Sequence, residues 1–266
     1  MFEDFYGFTQ TPFSRTIPTE KLYRGNDSDE LIERLKYTAK RQLFAIMTGD
    51  SGTGKTTTLR RFHDELQNSQ YRVLYLSDSK MTPRAFYKSL LEQLGFEARH
   101  YRGEAKRQLH KEIEVMKGVH GHLPVVIVDE AHLLDKEMLE EIRFLLNFKM
   151  DSQSPMALIL AGQSELWDKL KLQSYAAIRQ RIDVQCAIGH MDRYHTGAYI
   201  KTHLDFAGCE KDIFSDAAID DIFQFSCGIS RLVNKACTSS LIYGAQNHKS
   251  IIDDRMVKLV VDCELC

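Results

Sequence analysis

The stretch "LFAIMTGDSGTGKTTTL", residues 43–59, decides the fold. An apolar run ends on Gly49, four residues separate it from Gly54, and Lys55 and Thr56 follow at once. Glycines at that spacing let successive backbone N–H groups turn inward around an anion, and the helix that follows adds its positive end. The order strand, glycine loop, helix therefore predicts a phosphate-binding loop made of Gly49, Asp50, Ser51, Gly52, Thr53, Gly54, Lys55, Thr56 and Thr57. In such a loop Lys55 reaches the β and γ phosphates of ATP and Thr56 ligates Mg²⁺.

Outward from this loop, the same strand signal recurs at "RVLYLSD" (72–78), "PVVIVDE" (124–130), "MALILAG" (156–162) and "DVQCAI" (183–188). Near-continuous apolar character implies cover on both faces, hence a mostly parallel sheet with crossover helices. Between the strands lie segments at 55–69, 83–95, 104–118 and 136–150, each with apolar residues three and four apart. The expected fold class is α/β, a five-stranded parallel sheet flanked by helices. After residue 190 only helical patterns follow, at 192–208, 215–228, 230–247 and 253–265. Ser215, Ser230 and Asp253 read as N-caps, and Gly208, Gly228 and Gly244 as helix ends. The expected division is a nucleotide-binding domain over 1–189 and a small all-α domain over 190–266, which suits a 266-residue chain that is 43% hydrophobic.

The strand "VVIVDE" supplies the second half of the phosphate site, about 75 residues after the first. Asp129 is placed to hold Mg²⁺, and Glu130 to orient and deprotonate an attacking water, which predicts hydrolysis of ATP rather than binding alone. "DEAH" at 129–132 also invites a helicase reading, but such an enzyme needs two α/β cores in tandem and one is legible here.

A net charge of −2 excludes a global pull toward polyanions, so any such contact must come from a local patch. No stretch reaches the roughly 18 apolar residues of a membrane span, and the N-terminus lacks a leader pattern, so the expected location is the cytoplasm. The six cysteines lie in the last third and are expected to be reduced. Cys263 and Cys266 form a C-x-x-C without the second pair that a structural zinc site requires.

With both nucleotide motifs placed, the chain resembles AAA+ ATPases of the ExeA-like group, whose relatives include the transposition ATPases TnsC, MuB and IstB. The resemblance rests on "FYGFTQTPFS", "LYRG", "GDSGTGKTTTL", "VVIVDEAHLL", "LILAGQSEL", "IRQRI" and "GISRLVNKAC", in that order up to about residue 240. It implies an AAA+ P-loop NTPase core followed by a helical lid, and a homo-oligomer, ring or helical filament, with an arginine finger acting in trans. It further implies that Gln163 is the polar sensor, that Arg231 closes onto nucleotide, and that Arg181, or else Arg179, is the finger. Tyr23 is carried over as a neighbour of the adenine. Each residue has a plainer reading. Gln163 equally fits a cap of the helix "SELWDKL", the three arginines equally fit surface ion pairs, and Tyr23 equally fits packing at a domain edge.

The stretch from Arg99 to Lys111 holds five Lys or Arg against one acid, with His100, Tyr101 and His110 interleaved. Such a mixture binds phosphates and stacks on bases, although most charge runs are solvated helix faces. In the transposition relatives this region tracks the DNA backbone, which implies Lys80, Thr82, Arg84, Arg99, His100, Tyr101 and Arg102 as contacts to duplex DNA. Thr82 before Pro83 is equally an N-cap and first-turn pair. The expected function is a DNA-binding transposition regulator that assembles with ATP and recruits a transposase or other transposition protein. The alternative is an ExeA-like ATPase that works on a protein partner in secretion, without DNA. The group's namesake continues into a membrane span and a cell-wall-binding region, whereas this sequence stops at "CELC", which favours a free-standing regulator with no membrane contact.

Overall fold

The computed structural model describes residues 2–66, 70–78, 80–146, 154–209 and 211–265. It contains one five-stranded sheet of β1 (Phe44–Gly49), β2 (Tyr71–Leu76), β3 (Leu123–Val128), β4 (Ala157–Gly162) and β5 (Val184–Ile188). The order is β2-β3-β4-β1-β5, and every pair is parallel. The helices are α1 (Phe2–Tyr6), α2 (Asn26–Arg41), α3 (Lys55–Glu65), α4 (Pro83–Gln93), α5 (Arg102–Gly118), α6 (Lys136–Leu146), α7 (Ser164–Lys171) and α8 (Ala176–Arg179), then α9 (Arg193–Phe206), α10 (Asp216–Ser226), α11 (Ser230–Gln246) and α12 (Asp254–Val260).

Two compact units are distinguished by packing: residues 29–50 with 55–188, and residues 1–28 with 51–54 and 189–266. In the first, side-chain alternation along the strands builds a core on each face of the sheet. Ile46, Leu74, Val126 and Leu158 join Leu90, Leu109 and Ile142 of α4, α5 and α6. Ala45, Met47, Val125 and Ile159 join Leu35 of α2 and Phe62 of α3. Strands β1 and β4 are buried along their whole length, whereas the edge strands β2 and β5 alternate between covered and open positions. The expectation of continuous burial therefore holds for the inner strands and fails at the edges, where only one neighbour covers each strand.

The second unit is helical and has its own core, in which Phe13 joins Ile200, Ile222, Val233, Leu241 and Val257. Ser215 and Asp253 cap α10 and α12 as expected, accepting from the N–H groups of Ala218 and Met256. Ser230 does not cap α11: the N-cap is Ile229, and the Ser230 hydroxyl instead donates to the Gly52 carbonyl at 2.7 Å. Gly208 follows α9 with φ +84°, as a helix end should, and Gly228 follows α10 with φ +76°. Gly244 ends nothing and lies inside α11, where a Cβ would stand 2.3 Å from the Tyr6 hydroxyl and 2.5 Å from Ile252 Cδ1. Its glycine is there for close approach. The last α-helical turn ends at Val260 and widens into a π turn over Val261–Leu265. The predicted continuations of α3 to 69 and α6 to 150, and Cys266, lie outside the described residues.

Candidate functional site

Strands β1, β3 and β4 are adjacent in the order β3-β4-β1, so Gly49, Asp129 and Gln163 emerge together at the carboxyl edge of the sheet. Ligands of open parallel sheets bind at this edge. Gly52 and Gly54 have φ of +86° and +101°, the left-handed region a side chain resists, and this lets the loop wrap inward. Lys55 opens α3, is 6% exposed, and donates Nζ to the carbonyls of Gly49 and Asp50, both at 2.9 Å. Its ammonium is thus held over the loop. Asp50 is tied to the exit of β4 by the Ser164 hydroxyl, which donates to Oδ1 at 2.7 Å.

Asp129, buried at 3% exposure, accepts three hydrogen bonds. Its Oδ2 accepts from the Thr56 hydroxyl at 2.7 Å and from the Tyr75 hydroxyl at 2.9 Å, and its Oδ1 accepts the Glu130 N–H at 2.8 Å. Because Thr56 spends its hydrogen on Asp129, its oxygen lone pairs point away from that carboxylate. A hydroxyl oxygen beside a carboxylate is the hard donor set that suits Mg²⁺.

Glu130 has φ +51° and ψ 32°, a left-handed conformation uncommon outside glycine and asparagine. Such backbone costs on the order of 1 kcal/mol and persists where surrounding structure imposes it. Here the turn lets Asp129 look back into the sheet while the Glu130 side chain stays 45% exposed. His132 lies half-buried beside it, with Nδ1 3.5 Å from Glu130 Oε2 and 3.4 Å from the Gln163 N–H, whose hydrogen it accepts. Gln163 occupies the N-cap position of α7, yet its side chain makes no cap bond.

The two candidate fingers differ. Arg179 donates Nη1 to the carbonyls of Leu170, at 3.1 Å, and Lys171, so its guanidinium closes the C-terminal end of α7. Arg181 is half-buried after α8, with its own N–H on the Ile178 carbonyl at 3.0 Å. Within the helical unit, Arg231 is exposed and donates to the Ser51 hydroxyl at 3.2 Å, while its backbone N–H reaches the Gly52 carbonyl at 3.1 Å. Tyr23 makes edge contacts with His195 and Tyr199.

The basic segment divides in two. Arg102 pairs with Glu137 at 2.9 Å and with Glu141, and Lys106 pairs with Glu141 at 3.2 Å. Glu141 is buried and also accepts from the Tyr87 hydroxyl, so these two cations neutralise a carboxylate beneath them. Burial pushes the Glu141 carboxyl up, but the Tyr87, Arg102 and Lys106 hydrogen bonds prevail and hold it below its ordinary value of 4.5. The rest of the candidate surface is open. Lys80, Arg84, Arg99, His100 and Tyr101 are exposed, Arg84 meets His100 at 3.3 Å, and the His100 and Tyr101 rings meet edge to face. Thr82 accepts from the Ala85 N–H at 3.3 Å, the N-cap role its Thr-Pro sequence allows.

Tyr75 and His132 were not singled out from the sequence. Tyr75 reads there as one more strand residue and His132 as part of a four-letter word, and only the fold places them on Asp129 and Glu130. Among the described residues no group of three or more His, Cys, Asp or Glu side chains is placed to hold a metal, and no helix is long and apolar enough to cross a membrane.

A family profile described as "AAA domain" matches residues 38–170. The chain is similar to General secretion pathway protein A of Aeromonas hydrophila, 28% identical over 260 residues, covering 96% of this chain and 47% of that protein. It thus spans about half the length of that curated relative. In structure it is similar to the Drosophila ORC bound to DNA (TM-score 0.70, 16% identity, 98% of this chain and 64% of that one). It is also similar to Cdc6p from Pyrobaculum aerophilum (0.65, 16% identity, 90% and 67%) and to the Thermotoga maritima RuvB Holliday junction branch migration motor (0.59, 17% identity, 89% and 68%). At these identities the likeness is one of fold.

Proposed function

The chain belongs to the AAA domain family and is an ATPase, and from that premise we propose that ATP assembles it into a homo-oligomer acting on a protein partner, as in secretion. The observation that carries this reading is the similarity to General secretion pathway protein A along 96% of the chain. The pairing of Arg102 and Lys106 with Glu141 supports it, since two of the five cations counted toward a DNA surface serve an internal carboxylate.

In this reading Lys55 and the backbone N–H groups of Gly49 to Thr57 bind the phosphates, and Thr56 and Asp129 hold Mg²⁺. Bound there, Mg²⁺ would neutralise charge on the phosphoryl group being transferred. Glu130, set outward by its left-handed backbone, orients the attacking water and accepts its proton. Gln163 senses the γ-phosphate, Arg231 closes onto bound nucleotide, and Arg181 supplies the finger to a neighbouring subunit, coupling hydrolysis to assembly. Arg181 is taken as the finger ahead of Arg179 because it stands directly before the final strand β5.

A second reading keeps the DNA-binding transposition regulator, with duplex DNA and a transposase as partners. It is favoured by the open group of Lys80, Arg84, Arg99, His100 and Tyr101, and a structural neighbour is described as bound to DNA. Filtration or electron microscopy with duplex DNA, with and without a non-hydrolysable ATP analogue at low salt, separates the two. The primary reading expects no nucleotide-dependent DNA complex. A complex that weakens steeply with salt establishes the second.

A further inference from the structure

We propose that Tyr75 is a positioning residue for the metal-holding carboxylate of Asp129, an inference that rests on the nucleotide-site reading above. Thr56 and Asp129 are motif residues, but Tyr75 lies outside both motifs, on the edge strand β2. Its hydroxyl donates to Asp129 Oδ2 at 2.9 Å, beside the 2.7 Å bond from Thr56, so both lone pairs of that oxygen are engaged. With Oδ1 on the Glu130 N–H at 2.8 Å, the carboxylate is held at three points and cannot rotate without breaking one. Removing Tyr75's bond leaves Oδ2 on Thr56 alone, the residue assigned to the cation.

The position of Tyr75 is itself enforced. As an edge strand, β2 lacks a second neighbour, and the Gln93 side chain takes that place at Tyr75. The Tyr75 N–H donates to Gln93 Oε1 at 3.0 Å, and Gln93 Nε2 donates to the Tyr75 carbonyl at 3.0 Å. A chain of contacts thus runs from the end of α4 through Gln93 and Tyr75 to Asp129. One further feature fits a hydroxyl kept as a donor rather than a packing ring: Tyr75 is 39% exposed, so the ring fills no sealed cavity. Preorganised donors around a ligating carboxylate are the usual means of fixing a metal's outer sphere, and their loss typically costs ten- to a hundredfold in metal affinity or activity.

The test is Tyr75→Phe, which keeps the ring, compared with Asp129→Ala and the double variant. A fluorescent ADP analogue is titrated first in EDTA and then with Mg²⁺ or Mn²⁺, with thermal midpoints recorded in parallel. The expected result is EDTA affinity within about twofold of wild type and a Mg²⁺ midpoint raised about ten- to a hundredfold, as for the loss of a donor that orients a ligating carboxylate. In the Asp129→Ala background, Tyr75→Phe should add nothing. An unchanged Mg²⁺ midpoint in Tyr75→Phe, with a raised one in Asp129→Ala, overturns the inference and leaves the nucleotide site standing. An unchanged midpoint in both overturns the site reading itself. A fall in EDTA affinity and thermal midpoint without a Mg²⁺ shift marks a packing role and also overturns the inference.

Discussion

Asp129 accepts the backbone N–H of Glu130 on Oδ1 at 2.8 Å, and this bond accompanies the left-handed turn at Glu130. Two adjacent carboxylates thereby face different ways, one buried against Thr56 and Tyr75 and one open. Glu130→Gln preserves side-chain shape and removes only the proton acceptor. The variant is expected to bind ATP with wild-type affinity and to hydrolyse it at least about a hundredfold more slowly, measured by phosphate release. Equal rates would remove Glu130 from the chemistry.

Arg179 and Arg181 are two residues apart and make different contacts. Arg179→Ala frees the carbonyls of Leu170 and Lys171, so the expected effect is a lower thermal midpoint with modest loss of turnover. Arg181→Ala is expected to leave ATP affinity unchanged and to lower turnover on the order of a thousandfold. Mixing Arg181→Ala with Glu130→Gln should restore part of the activity, because one subunit brings the finger and the other an intact site. No recovery on mixing contradicts action in trans.

Glu141 predicts a pH dependence of stability. Its carboxyl lies below the ordinary 4.5 in the folded chain, so its stabilising contribution is complete above the unfolded value and is lost as pH falls through the folded one. Denaturant midpoints should fall as pH drops from about 6 to about 3, more steeply for wild type than for Glu141→Gln. At neutral pH Glu141→Gln should be less stable by about 1–3 kcal/mol, since the charge-assisted bonds from Arg102 and Lys106 are weakened.

Gly244→Ala should destabilise the helical unit by about 1–3 kcal/mol, because the added methyl meets Tyr6 and Ile252. Gly103→Ala, with nothing within 4 Å, is the control and should be neutral or slightly stabilising. A midpoint in Gly244→Ala equal to wild type would mean that the two neighbours yield freely.

How much of this was legible in the sequence depended on the range of the interactions. The loop from Gly49 to Thr57 and the inner strands β1, β3 and β4 were legible because doubly covered strands and glycine turns are local patterns. Gly244 was misread as an end because a glycine required for close approach is indistinguishable in sequence from a terminator. Ser230 was misread as a cap because its hydroxyl serves a residue 178 positions away. The basic run looked uniform along the chain, yet the carboxylate of Glu141, 39 residues from Arg102, claims part of it. Tyr75 and His132 carried no signal, since their partners are set by strand order and not by spacing.

The central claim is that ATP binding, not DNA, drives assembly. Sedimentation velocity of the Glu130→Gln variant in DNA-free buffer, with ATP, with ADP and without nucleotide, measures it most directly, and Lys55→Ala is the binding-dead control. The account predicts a discrete oligomer with ATP alone and none for Lys55→Ala. A Glu130→Gln protein that saturates with ATP yet sediments as it does without nucleotide, or assembles only when duplex DNA is added, would contradict it.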